Sequence, residues 1–304
     1  MDNSAFLDPA LAEGTLPKQE REPGVPQQIL AFLKTPVGIQ VVAAFTALVL
    51  AFLPLFRLAW KEWFDSDSYY THAPLVPVIA AYIVYTRRER LATIPVRGAW
   101  VALVPLLGVL YIAYVASRTD QAAFMSLLFV AASLLSVWFL AGFRWALAVA
   151  PMIAYLLFGL PVWATAIDTY TNPLQILSTK IAFEMLSVAQ MQPYMTDTTT
   201  IALSRYNMHV AVACSGLKTT LALLAFTAMF VMISRLKLWA NGFLVLMIIP
   251  FAVLINGLRI AMIGIVGNVW GDEAGHQFHD YSGYISLLVC FYVLMKVARA
   301  LGWK

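Results

Sequence analysis

The sequence predicts an all-α polytopic membrane protein, and its composition and its long apolar runs support this class. Hydrophobic residues make up 61% of the 304 residues and charged residues only 12%, whereas soluble domains are nearer half apolar and a quarter charged. Because about 20 apolar residues cross a bilayer as one helix, the apolar runs predict about eight transmembrane helices. They lie at residues 38–58, 73–86, 99–117, 122–141, 145–167, 215–234, 238–266 and 281–300.

The second predicted span, residues 73–86, is short for a full crossing of the bilayer. Tilting, or an extension back through Tyr69 and Tyr70, would lengthen it. A re-entrant segment is the alternative. Residues 1–36 before the first span contain several prolines, few aromatics and mixed charges, and they predict a disordered cytoplasmic tail. Residues 37–304 are predicted to form a single integral-membrane domain.

Orientation follows from the distribution of Lys and Arg, which are enriched in cytoplasmic segments. With eight spans and the N-terminus inside, 13 of the 20 basic residues fall on the inner side. Both termini are therefore predicted to be cytoplasmic. The basic residues that fall on the outer side are Arg57, Lys61, Arg118, Lys180, Arg205, Lys218 and Arg259.

The segment between the fifth and sixth spans, residues 168–213, has a mixed character. Asn172-Pro173 favours a helix start, and the apolar and polar residues that follow predict a helix lying in the membrane interface. Beyond Pro193, apolar residues recur at every second position, which favours a short β-hairpin on the outer face. This hairpin would deliver the chain to Cys214.

Cys214 is the first candidate for chemistry. It precedes Ser215 and Gly216 at the predicted start of the sixth span, where unpaired N–H groups and the positive end of the helix favour a thiolate. A thiolate can act as a nucleophile in acyl transfer. The alternative is a cysteine that acts only as a small apolar residue, which is the interpretation we give to Cys290.

Arg259 is embedded in the apolar seventh span. A charge inside a span costs about a few kcal/mol or more, so this residue should face a polar cavity or a partner. Its fork of N–H donors could hold an oxyanion or a carboxylate. The structural alternative is a salt bridge to Asp272 or Glu273.

His279, and His276 as its competitor, are candidates for proton transfer because imidazole titrates near physiological pH. The topology predicts that His279 lies on an outer loop just before the eighth span. Cys214, Arg259 and His279 would then all fall in the outer leaflet or just above it.

A zinc site at His276 and His279, with Asp272, Glu273 and Asp280 nearby, is an alternative use of these residues. No His-Glu-x-x-His or paired Cys-x-x-Cys spacing supports it, so we expect no metal and no cofactor. The basic residues form no patch with interleaved aromatics, and we expect no nucleic-acid partner.

Four stretches, in their order and spacing, resemble the exosortase/archaeosortase family of membrane-embedded transpeptidases, which are analogous to sortases. The resemblance covers about residues 60–300. Thr71 and Ala73 replace the usual Ser and Gly around His72, and Lys218 stands where arginine is frequent. The four stretches are Asp67–Pro77 followed by Arg87-Arg88, the nucleophile motif Val212–Leu217, the arginine motif Asn256–Ile260 and the histidine motif Phe278–Tyr284.

The resemblance implies that Cys214 is the nucleophile, that Arg259 stabilises the oxyanion or positions the substrate, and that His279 rather than His276 transfers the proton. Supporting or substrate-binding roles are expected for five further residues: His72, Ser215, Gly216, Asn256 and His276.

The resemblance also implies the substrates, which are secreted proteins with a C-terminal sorting tail. That tail consists of a PEP-CTERM-like motif, a transmembrane helix and basic residues. Cleavage would pass through a thioester, with a lipid or glycan amine as a candidate acceptor, in the bacterial cytoplasmic membrane and on its outer face. A transporter, or a non-catalytic component of an export or exopolysaccharide system, is the alternative; intramembrane charge suits a transporter, but the chain has no internal repeat.

Overall fold

The structure is a computed structural model that describes residues 34–65, 68–119, 121–211, 216–234 and 236–303. Residues 1–33 of the predicted tail lie outside the described residues, and Pro36 already begins the first helix. The chain divides into two units, with the boundary between Phe45 and Thr46. All side chains discussed below belong to the second unit.

The described residues contain eleven α-helices and three short β-strands, with 3₁₀ turns at Trp100–Ala102, Leu156–Gly159 and Pro161–Trp163. The helices are α1 Pro36–Ala51, α2 Leu53–Phe64, α3 Leu75–Thr86, α4 Arg88–Ala92, α5 Leu103–Ala116, α6 Ala122–Ala141, α7 Phe143–Tyr155, α8 Ala164–Val188, α9 Leu217–Ile233, α10 Leu238–Trp270 and α11 Asp272–Ala300. The strands are β1 Tyr194–Met195, β2 Thr200–Ala202 and β3 Asn207–His209.

Three helices, α6, α10 and α11, are each long and apolar enough to cross a membrane. Two bent pairs raise the number of spans to as many as five if each pair forms one span: α1 with α2, and residues 143–159 with 161–188. Shorter apolar helices include α3 and α9. The chain is therefore an α-helical membrane protein, and the number of eight spans stays a prediction.

The helix predicted to start at Asn172 begins instead at Ala164, so Pro173 lies inside α8. The break in the chain comes earlier, at Leu160, whose backbone is extended (φ −113°, ψ 153°). A residue before proline is driven out of the helical region by the proline ring, and Pro161 has this effect here. The predicted start was wrong because it was assigned to Asn172-Pro173 and not to the break before Pro161.

The outer loop predicted before residue 281 is also wrong, because α11 begins at Asp272. Only Gly271 separates α10 from α11. Its φ of +96° allows the sharp turn between the helices, and residues with a side chain rarely adopt this backbone conformation. Asp272 and Glu273 occupy the first turn of α11, where negative charge is favourable. His276 and His279 therefore lie on a helix, three residues apart.

The three strands form one antiparallel sheet in the order β1-β2-β3. Ile201, Met208 and Val210 point from the sheet into a buried cluster with Leu186 of α8 and Ile260 of α10. At the turn between β2 and β3, the backbone N–H of Arg205 donates to Asn268 Oδ1 at 2.8 Å. Apolar burial on one face and this bond at the turn hold the sheet against α8 and α10.

A separate cluster joins the short helix α3 to the rest of the bundle. Val76 and Ala80 of α3 are buried with Tyr155, and Phe158 and Met229 pack against them. The cluster brings the start of α3, where the turn at residues 69–74 ends, to the side of the bundle that contains α9.

Candidate active site

The start of α9 packs against the side chain of Asn256 on α10. Gly216 caps α9 with a φ of +82°, and a Cβ at this position would lie 2.9 Å from Asn256 Cγ. Asn256 itself is only 3% exposed. Glycine is needed here for both reasons, because the conformation and the close contact each exclude a side chain. Cys214 and Ser215 lie outside the described residues.

Arg259 lies one turn after Asn256 on α10, so the two side chains share a helix face. Its Nε donates to Ser282 Oγ at 2.9 Å, and its Nη2 donates to the backbone carbonyl of His279 at 3.1 Å. Among the described residues it forms no ion pair with a carboxylate. The predicted alternative, a salt bridge to Asp272 or Glu273, is therefore wrong.

Ser282 completes a small hydrogen-bonded triangle. It is 3% exposed, and its hydroxyl donates to the His279 carbonyl at 3.0 Å while it accepts from Arg259. The carbonyl oxygen of His279 thus accepts hydrogen bonds from both the hydroxyl and the guanidinium. These bonds fix the second turn of α11 against α10, and they satisfy two of the five N–H groups of the arginine.

The imidazole of His279 is turned away from this triangle. Its Nδ1 lies 3.3 Å from Asp280 Oδ1, and the side chain is 42% exposed. His276, at 71% exposure, has its Nδ1 2.9 Å from the Asp272 carbonyl. Both rings line an open groove of about 300 Å³, whose other wall consists of residues 206–210 with Ile260 and Ile263.

Arg259 lines a different groove, of about 180 Å³, between α10 and α11. Most of this groove is apolar, with Leu258, Phe278 and Ile285 among its walls. The structure thus joins Arg259 to His279 through the backbone carbonyl of the histidine and not through its ring. The two side chains occupy neighbouring grooves on the two sides of the α10–α11 contact.

His72 lies in the turn at residues 69–74, next to α3, α9 and the 3₁₀ turn that contains Phe158. Both of its ring nitrogens are buried without a well-formed hydrogen bond to the described residues, although the nearby backbone of Phe158 and of Tyr69 favours the protonated ring. Burial lowers the pKa of His72 to about 4, and the positive charge of Lys218 acts in the same direction. A neutral imidazole therefore lies close to the start of α9.

Sequence reasoning missed Ser282 and the groove beside β3. Ser282 was inside the quoted histidine motif, three residues after His279, and a helical spacing would have placed both on one face. The assignment of His279 to a loop before the eighth span hid that relation. The groove depends on contacts between distant segments, which no local pattern encodes.

The donor set does not suggest a metal site. Within the described ranges, no group of three or more His, Cys, Asp or Glu side chains is arranged to hold a metal ion. His276 and His279 each lie beside an acidic neighbour, but their rings line a groove and do not converge on one point.

Fold and site together define an α-helical membrane protein with a polar site where α9, α10 and the first turns of α11 meet. The family model of the transmembrane exosortases (Exosortase_EpsH) matches residues 60–296. The chain belongs to the transmembrane exosortase family, as the four sequence stretches predicted. No curated protein and no solved structure matches the chain.

Proposed function

We propose that the chain is a membrane cysteine transpeptidase that cleaves the C-terminal sorting tail of secreted proteins and transfers the new C-terminus to an acceptor. The observation that carries this proposal is the convergence of the family-matched motifs. Gly216 packs on Asn256, Asn256 shares a face with Arg259, and Arg259 binds the turn of His279. Cys214 is two residues before Gly216 in the chain.

The first chemical step is the attack of the Cys214 thiolate on the scissile carbonyl. The carbon–sulfur bond forms, and the carbonyl electrons move to oxygen as an oxyanion. When the tetrahedral intermediate collapses, the C–N bond breaks and the amine leaves with a proton from the His279 imidazolium. The product is a thioester between Cys214 and the substrate.

The second step reverses the direction of the proton. An acceptor amine gives its proton to neutral His279 and attacks the thioester, so that the thiolate leaves and a new amide forms. If water attacks instead, the product is a free carboxylate and the reaction is proteolysis. A lipid or glycan amine is the acceptor class we propose, and an apolar site would favour it by limiting water.

Arg259 has two roles that its position permits. The hydrogen bonds to Ser282 and to the His279 carbonyl make it a positioning residue for the first turns of α11. The other N–H groups of its guanidinium suit an oxyanion or the recognition motif of the substrate. The groove of about 180 Å³ beside it is open and mostly apolar, which suits the flanking transmembrane helix of the sorting tail.

The proposal includes an orientation, with both termini in the cytoplasm and the site at the outer face of a bacterial cytoplasmic membrane with eight spans. The Lys and Arg distribution supports this orientation. A membrane-impermeant maleimide tests it in a Cys290→Ala background, where Cys214 is the remaining cysteine. Labelling of intact cells is expected, and labelling that requires permeabilised cells would contradict the orientation.

The central experiment replaces Cys214 by Ala in cells that express a tagged secreted protein with a C-terminal sorting tail. Without a nucleophile, the full-length precursor should stay in the membrane, as judged by immunoblotting and by mass spectrometry of the C-terminus. Cys290→Ala is the matched control, since Cys290 is fully buried in a helix core and its loss should leave processing intact. Normal processing in Cys214→Ala would remove this residue from the mechanism.

A further inference from the structure

The strand β3 has an open edge. In the ladder with β2, the N–H of Leu203 donates to the carbonyl of Tyr206, and the N–H of Val210 donates to the carbonyl of Thr199. With Ile201 opposite Met208 in register, these bonds turn the backbone groups of residues 206, 208 and 210 toward β2. Antiparallel pairing alternates, so the N–H and C=O groups of Asn207 and His209 point outward.

The outward groups have no backbone partner among the described residues. Because β3 is the last strand in the order β1-β2-β3, no further strand of the described chain covers it. Within the described ranges, no backbone hydrogen bond joins Asn207 or His209 to another segment. An uncovered edge of this kind is a template for another extended chain.

The groove of about 300 Å³ runs along this edge. Five consecutive residues, 206–210, line the groove, although their side chains alternate between the two faces of the sheet. No residue of β2 lines it. The groove is also lined by Ile260 and Ile263 from α10 and by His276 and His279 from α11. A chain in the groove would therefore lie between the strand edge and the imidazole proposed as the acid–base group.

The edge is held rigidly from behind. Tyr206, Met208 and Val210 are at most 7% exposed, and the ring of Tyr206 packs so closely on Gly267 that a Cβ there would lie 2.7 Å from it. Thr200 Oγ1 and His209 Nδ1, across the ladder, are 3.0 Å apart. A preorganised edge loses little conformational entropy when it binds a ligand.

We propose that an extended peptide binds as a fourth strand to the open edge of β3. The proposal rests on the proposed function, since we take the peptide to be the recognition segment of the sorting tail. The N–H and C=O groups of Asn207 and His209 can form up to about four main-chain hydrogen bonds, over roughly 10 Å of strand. An extended backbone is the ligand whose donors and acceptors repeat with the spacing of this edge.

Cross-linking tests the docking without requiring any chemistry. The chain carries Cys214→Ala, Cys290→Ala and Asn207→Cys, and the tagged substrate carries single cysteines at successive positions of its tail motif. Strand pairing predicts disulfide formation at alternate substrate positions, because side chains alternate between the two faces of a strand. Uniform cross-linking along the tail, or none, would overturn the proposal.

A proline at the edge tests the hydrogen bonds themselves. Asn207→Pro removes an outward N–H without removing a bond of the β2–β3 ladder. Loss of one or two main-chain bonds should lower substrate processing by about tenfold. The matched control is Met195→Pro on β1, at the opposite edge of the sheet, where the register with Ile201 also turns the N–H outward.

Equal processing by Asn207→Pro and Met195→Pro, with equal unfolding temperatures in detergent, would contradict strand addition. If Asn207→Pro does not fold, the cross-linking pattern decides alone. Failure of the proposed function looks different: processing would continue in Cys214→Ala while the alternating cross-links remained. Loss of the alternating pattern, with processing still dependent on Cys214, would reject only the docking site.

Discussion

The α10–α11 pair and the turn at residues 69–74 each hold a nitrogen-bearing side chain among apolar helices. In the first region, Arg259 donates to Ser282 and to the His279 carbonyl. In the second, both ring nitrogens of His72 are buried without a well-formed hydrogen bond to the described residues. A buried polar group without a partner costs about 1–3 kcal/mol.

The difference shows two ways in which a helical protein accommodates a polar group among packed apolar helices. Arginine stays charged and must be supplied with acceptors, which α11 provides from its second and third turns. Histidine can avoid the cost of charge by staying neutral, and burial lowers the pKa of His72 in the direction that favours the neutral ring. The hydrogen bonds of Arg259 form a rigid frame between α10 and α11. The region around His72 lacks such bonds and is suited to accept a hydrogen-bonding partner.

The largest expected effect on substrate processing comes from Arg259→Lys, which removes the hydrogen bonds between Arg259 and α11. Lysine keeps the charge but cannot replace the Nε and Nη2 donors together, because its ammonium is a single point. We expect processing of the tagged substrate to fall by about 10²–10³-fold, the range for loss of a preorganised donor. The control is Arg57→Lys, at an exposed position of α2, and wild-type turnover in Arg259→Lys would make the residue a purely structural charge.

Ser282→Ala sharpens the comparison by removing one bond of the frame and keeping the other. Arg259 would still donate to the His279 carbonyl, so we expect a loss of about 1 kcal/mol and about a fivefold lower rate of processing. Ser133→Ala in α6, whose hydroxyl also donates to a backbone carbonyl, that of Phe129 at 2.7 Å, is the matched control and should process normally. A loss as large as that of Arg259→Lys would mean that the hydroxyl contacts the substrate.

The smallest effect concerns the pH dependence of stability through His72. The pKa of His72 is about 4 in the folded chain, compared with the ordinary value of 6.5. Between these two pH values the unfolded chain binds more protons, so the free energy of unfolding rises with pH. The contribution is complete above about pH 6.5 and is lost as the pH falls toward 4. Unfolding temperatures in detergent should therefore drop more steeply below pH 6.5 for the wild type than for His72→Gln.

All other groups are common to the two proteins of that comparison, so their contribution cancels in the difference. Parallel pH profiles for the wild type and His72→Gln would show that the imidazole is hydrated or paired in solution. A steeper fall for the variant would reverse the sign and would imply a charged His72 in the fold.

The sequence predicted the helical class and the family from composition and from four motifs, because both are properties of short stretches. It misjudged the start of α8 and the loop before α11, where two boundary signals compete within about ten residues. It predicted that Arg259 needs a polar partner, but it named Asp272 and Glu273 as the candidates. Ser282 became the partner because α11 starts early and carries that residue to the same level as Arg259.

The sequence by itself determined that the chain lies in a membrane, that an arginine is placed within an apolar helix, and that a cysteine precedes a helix start. These are consequences of hydrophobicity and of local backbone chemistry. Only the tertiary structure decided that Arg259 meets the carbonyl of His279 and not its ring, and that a strand edge faces the same groove as that ring. Such relations depend on how separate helices pack, since packing joins residues that are distant in the chain and carry no mutual signal along it.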